Sequence, residues 1–133
     1  MKRILCVTCG ILMLASSAVA EETCANGKGI MASDNDGNNY CVSQVLMNWF
    51  SAFSWCETAG GRLLTFDDCD CKKCDRPTAG SCRLGGVHNA VKGEALWTSN
   101  IADNNSAYAI YNWGDMRKAF PKTSWAYTAC KMP

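Results

Sequence analysis

The residues of this chain best able to do chemistry are the cysteines of Cys69-x-Cys71-x-x-Cys74, followed by Cys82. Thiolates at such spacings can converge tetrahedrally on zinc. Cys71-Lys72-Lys73-Cys74 also has the form of a redox pair whose flanking lysines would lower the thiol pKa, although no βαβ pattern surrounds it. Asp67, Asp68, Asp70 and Asp75 run through the same stretch but interleave with Lys72, Lys73 and Arg76, so they read as a solvated, charge-balanced loop. Asp34, Asp36 and Asn38 alternate like the start of a calcium loop. They lack the glycine phase and distant Glu of an EF-hand, and an Asp-Gly turn explains them more simply. His88 is the single histidine, in Gly-Gly-Val-His-Asn, with no G-x-S-x-G nucleophile elbow near it. No catalytic set, metal or cofactor is expected.

The remaining candidates are aromatic. Tyr108, Tyr111, Trp113, Phe120, Trp125 and Tyr127 crowd the C-terminal third. Strand alternation sends Tyr108 to one face with Ile110, and Tyr111 and Trp113 to the other. Trp113 and Phe120 border turns. With Tyr111 they form the candidate binding surface, since exposed aromatics stack on sugar rings or anchor protein partners.

These groups must be positioned by a small chain. Lys2 and Arg3, the apolar run Ile4 to Leu14, and Ala18-Val19-Ala20 have the form of a cleaved signal peptide over 1–20. The apolar run is too short for a membrane span. One domain over 21–133 is expected, secreted or periplasmic and possibly associated with the cell surface. Without Lys2 and Arg3 the basic and acidic counts are 11 and 12, a net charge of −1, which leaves no electrostatic footprint for nucleic acid. Eight of the ten cysteines lie beyond residue 20. In a small exported chain an even count reads as a disulfide framework.

Cys24 and Cys41 flank the turn at Asp36-Gly37, and a bridge between them would close a hairpin. Tyr40–Val45 reads as a strand. Asn48 is a good N-cap, and Trp49, Ala52, Phe53, Cys56 and Ala59 recur at helical spacing. The main helix is therefore expected at about 48–59, with Trp49 and Phe53 in the core and Gly60 or Gly61 at its end. Arg62–Phe66 reads as a strand and 67–86 as a long cysteine-rich loop. Strands follow at 95–98, 107–113 and 124–130, with polar turns at 99–106 and 114–123.

This order of elements resembles the C-type lectin-like domain, and more closely short exported bacterial proteins of that fold. The residues that carry the resemblance are Met47–Ala52 (MNWFSA), Gly60–Leu63 (GGRL) and Trp97–Ser99 (WTS). It spans Cys24 to Cys130 and implies an α+β fold with one main helix on small antiparallel sheets. It also implies Cys24–Cys41 and Cys56–Cys130 bridges. Cys69, Cys71, Cys74 and Cys82 are then left to pair among themselves, Cys69–Cys82 with Cys71–Cys74 being one option. The calcium-dependent sugar site of that family needs an E-P-N or Q-P-D loop and a W-N-D strand. Neither occurs here; Asn112-Trp113-Gly114-Asp115 has similar residues in another order.

The expected function is a non-catalytic, calcium-independent binding module, monomeric, recognising an unknown protein or glycan. One alternative is a structural component of surface assembly; another is a thiol or zinc protein using Cys69–Cys82. Thiol titration and metal analysis of the purified chain separate the last from the others. The expected result is eight oxidised cysteines and no zinc; reactive thiols with stoichiometric zinc would reverse that assignment.

Overall fold

The structure is a computed structural model that describes residues 22–69, 83–113 and 116–133. The expected signal peptide, and Cys71, Cys74 and Cys82, lie outside the described residues.

The first strands are β1 (Thr23–Cys24), β2 (Gly29–Ser33) and β3 (Asn39–Ser43). Asp34 closes the β2–β3 hairpin by accepting from the Asp36 and Asn38 N–H groups, each at 2.9 Å. Its other oxygen accepts from the Asn38 amide and the Tyr40 hydroxyl. The carboxylate that began the calcium-like pattern is thus used within the turn.

Helix α1 (Trp49–Ala59) begins at Asn48, whose side chain accepts from the Ser51 N–H at 2.9 Å. It ends at Gly60, where φ is +86° and the N–H returns to the last turn. Ala52 and Cys56 are its buried residues. Phe53 corrects an expectation: it is 40% exposed. It sits about 100° round the helix from Ala52, on the flank, where it packs against Trp49 with ring centroids 5.3 Å apart. Trp49 is half-buried, and its indole N–H donates to the Thr98 carbonyl at 2.9 Å.

The expected strand 62–66 stops after two residues, β4 (Arg62–Leu63), and turns into a 3₁₀ segment at Phe66–Asp68. Asp68 is the cause. It accepts from the Thr65 N–H and hydroxyl, drawing the chain into a turn, and from both Arg62 guanidinium nitrogens at 2.8 Å. Its side chain is 4% exposed, so Asp68 is a buried ion-pair partner, not part of a solvated loop.

A second helix, α2 (Gly85–Asn89), stands where only loop and turn were expected. It precedes β5 (Leu96–Ile101), β6 (Ser106–Tyr111), β7 (Met116–Pro121) and β8 (Ala129–Lys131). Strand β7 occupies most of the stretch 114–123 that the sequence predicts as a polar turn. Its sequence, MRKAFP, hides the signal because it is the sheet's edge, where charge and a terminal proline are tolerated. Conversely, 124–128 forms only isolated bridges, Met47 to Ala126 and Leu96 to Tyr127.

The strands make two sheets, β1-β2-β3-β8-β4 and β5-β6-β7. Side-chain alternation divides the core between the faces. Tyr40, Val42, Ala129, Leu96 and Ile110 join Leu84 and Val87 of the α2 region in one cluster. Cys41, Cys130, Trp97, Ala107 and Ala109 join Ala52 and Cys56 of α1 in the other. Cys24 is bonded to Cys41, and Cys56 to Cys130, the pairings the resemblance implies. Such bridges are each worth about 2–4 kcal/mol.

Two buried groups make stability pH-dependent. Burial works to raise the pKa of the Asp68 carboxyl, but the hydrogen bonds from Arg62 and Thr65 outweigh it and hold the group below the usual range. Burial lowers the pKa of His88, against its backbone hydrogen bonds to Ile110 and Leu84. A lowered carboxylate stabilises the fold above its unfolded pKa and loses that contribution as pH falls towards its folded one. A lowered histidine costs nothing above about pH 6.5 but resists the proton that the unfolded chain accepts below it. Urea midpoints should therefore fall first below about pH 6.5 and again below about pH 4. Asp68→Asn should lower stability by roughly 1–3 kcal/mol at pH 7, less than a fully buried pair because Arg62 is half exposed, and should remove the second decline.

Candidate functional site

The recognisable site is a groove at the end of the β6–β7 hairpin. Tyr111, Trp113 and Phe120, the three residues of the expected binding surface, all line it, with Lys92, Glu94 and Asn112. Its volume is about 490 Å³, within the range of small-ligand sites.

Two left-handed stretches of backbone build the groove. Lys92 and Gly93 have φ of +55° and +76°; Asn112 and Trp113 have +53° and +55°. The Asn112 N–H donates to the Gly93 carbonyl at 2.8 Å and locks the two together. Lysine and especially tryptophan are strained there, by about 1–3 kcal/mol each. Trp113 is kept in place by two contacts. Its indole N–H donates to the Asn89 side-chain oxygen at 2.7 Å. Its six-membered ring lies against Gly93, where an added Cβ would sit 2.6 Å from Cζ3 and 2.8 Å from both Cε3 and Cη2. Near-equal distances to three consecutive ring atoms place that point over the ring face, not off its edge. One indole face is therefore covered by the Gly93 backbone, and the residue is among those that line the groove.

The hairpin sets the other walls. Ala107 pairs with Phe120 and Tyr111 with Met116, so Tyr111 and Phe120 share a sheet face, with ring centroids 6.5 Å apart at 65°. Tyr108 lies on the opposite face, edge-on to Phe66 at 5.2 Å, with the Arg117 guanidinium 4.5 Å from the Phe66 centroid. Lys118 Nζ stands 5.7 Å from the Phe120 centroid. Lys92 and Glu94 are exposed on the rim and oppose each other in charge.

The other candidates are placed apart from the groove. His88 is fully buried, its Nε2 3.2 Å from the Ile110 carbonyl and its Nδ1 without a hydrogen-bond partner. Cys69 is buried; the cysteines expected to accompany it lie outside the described residues. Among the described residues, no three His, Cys, Asp or Glu side chains are grouped as a metal site, and no helix is long and apolar enough to cross a membrane. Sequence reasoning missed Asn89, Lys92, Gly93 and Glu94. The available signal was Lys92-Gly93, a turn dipeptide, but nothing local said that it would meet Asn112-Trp113.

No family model matches the chain, and no curated protein matches it.

Gly93→Ala tests the construction of the groove. The added methyl must displace the indole and strains a φ of +76°, so a loss of about 1–3 kcal/mol is expected. The Trp113 indole N–H resonance should move while that of core Trp97 holds its shift.

Proposed function

We propose that this chain is an exported C-type lectin-like domain, monomeric, secreted or periplasmic, that acts as a calcium-independent binding module for a protein or glycan surface. The observation that carries the reading is Trp113. A large aromatic that lines the groove is held in a strained backbone conformation, its polar edge bonded to Asn89 and one face against Gly93. Strain of this kind is retained where surrounding structure enforces it, often at functional positions. Rigid aromatics on loops are the usual anchors of recognition. The fold reading is supported by the resemblance at Met47–Ala52, Gly60–Leu63 and Trp97–Ser99, by the bridge from the main helix to the last strand, and by the placement of that strand between β3 and β4. Two disulfides and the apparent leader at 1–20 support export.

The test is retention on a glycan array and on immobilised envelope and host extracts, with and without chelator. Binding that survives chelator and is lost in Trp113→Ala is expected. Silence throughout, alongside reproducible turnover of some substrate, would overturn the reading.

A second reading, a surface-assembly component, is favoured by one observation. Val45, Leu46, Phe50 and Trp125 are exposed, Trp125 by 69%. The Met47–Ala126 bridge brings their segments together beside the start of α1. Concentration-dependent oligomers on a sizing column, abolished by Trp125→Ser, would establish it in place of the monomeric module.

A further inference from the structure

We propose that the outer edge of β7 is a strand-addition site for an extended acidic segment of a partner protein, which sets two adjacent carboxylates against Arg117 and Lys118; this goes beyond the reading of the Trp113 groove and does not depend on it. Among the described residues β7 pairs with β6 alone, so its outward N–H and C=O groups are open to another chain. The far side of the same sheet is already engaged: the Trp97 N–H donates to the Tyr127 carbonyl and the Ser99 N–H to the Leu64 carbonyl. In the other sheet the edge strands β1 and β4 are two residues long. Strand β7 runs for six, from Met116 to Pro121.

Charge selects the occupant. Strands β5, β6 and β7 carry two charged residues between them, Arg117 and Lys118, both cationic and both exposed. Neither has a carboxylate partner among the described residues. Each is held instead over an aromatic ring, Arg117 over Phe66 and Lys118 over Phe120. Lys122, just beyond the strand, is buried and donates to the Asn104 carbonyl at 3.0 Å. A second copy of β7 brings no carboxylate, so the two cations oppose self-pairing and favour an acidic strand. Register then sets a pattern. Arg117 lies opposite Ile110 and Lys118 opposite Ala109, so the two cations stand on opposite faces of the sheet. Consecutive carboxylates of an added strand reach them one on each face. Met116 and Phe120 share the Lys118 face, and apolar residues belong opposite them. An antiparallel partner therefore reads apolar, any, acidic, acidic, apolar, from the residue opposite Phe120 to the residue opposite Met116.

The experiment titrates the full mature chain with a peptide centred on Val-Thr-Glu-Glu-Val and with its Lys-Lys counterpart. Two further copies of the acidic peptide are N-methylated at alternate residues, one in each phase. Binding is read by fluorescence anisotropy and amide NMR. The acidic peptide should bind, with shifts centred on 116–121. The double variant Arg117→Glu, Lys118→Glu should bind it at least about tenfold more weakly. That variant should gain binding to the Lys-Lys peptide, which a misfolded chain could not do. One methylated copy should fail and the other bind, because alternate N–H groups of an added strand face the edge. Trp113→Ala should leave the affinity unchanged. Silence with the acidic peptide, equal binding to the double variant, or indifference to methylation in both phases overturns the proposal. So does slow amide exchange along the whole of β7 in the free chain, which would show the edge already covered. Loss in Trp113→Ala with retention in the double variant would put the peptide in the groove, overturning the edge site while the groove reading stands.

Discussion

The architecture depends on where Cys130 sits. In β8 it lies opposite Cys41 of β3 and opposite Leu63 of β4, and its sulfur is bonded to Cys56 of α1. Cys41 in turn is bonded to Cys24 of β1. One short strand therefore ties the N-terminal hairpin, the main helix and the segment after it. A chain with a core this small is marginal on hydrophobic burial alone. The loop closed between Cys56 and Cys130 spans 74 residues, and long closed loops are those in which a bridge most restricts the unfolded chain.

That constraint acts at a distance on the groove. Fixing β8 fixes the segment before it, whose Tyr127 accepts from and donates to the neighbourhood of β5: the Trp97 N–H bonds the Tyr127 carbonyl, and the Tyr127 N–H bonds the Ala95 carbonyl. Trp97 is fully buried and donates its indole N–H to Met47 at the entrance to α1. The three-stranded sheet is thereby seated on the stapled part of the molecule. Its far hairpin carries the aromatics outward, and the turn after α2 comes up to meet it. The ion pair of Arg62 and Asp68 works beside this frame. It ends β4 early and stands near Tyr40, whose hydroxyl is held neutral by burial first and by the charges of Asp68 and Asp34 next.

Some of this was legible residue by residue. Asn48 and Gly60 bound the helix because capping is local chemistry, and Asp34 to Asn38 announced their turn for the same reason. Failures came where the deciding partner was remote. Met116–Pro121 is a strand because β6 offers it a full register of partners, not because its own residues prefer one. Phe53 has the right spacing for a core position, yet the core there is filled by Ala52, Cys56 and Trp97. Asp68 looked like one acidic residue among several until Arg62 folded back onto it.

The sequence alone determined the class of molecule: a small α+β domain with cysteines placed for a staple, one well-capped helix and aromatics gathered late in the chain. These follow from composition, short-range capping and spacing. Only the tertiary structure decided which aromatics line one groove. Nothing in Asn112-Trp113 specifies an indole pinned to Asn89 and Gly93, because that geometry arises from two left-handed turns about twenty residues apart, brought together by the sheet.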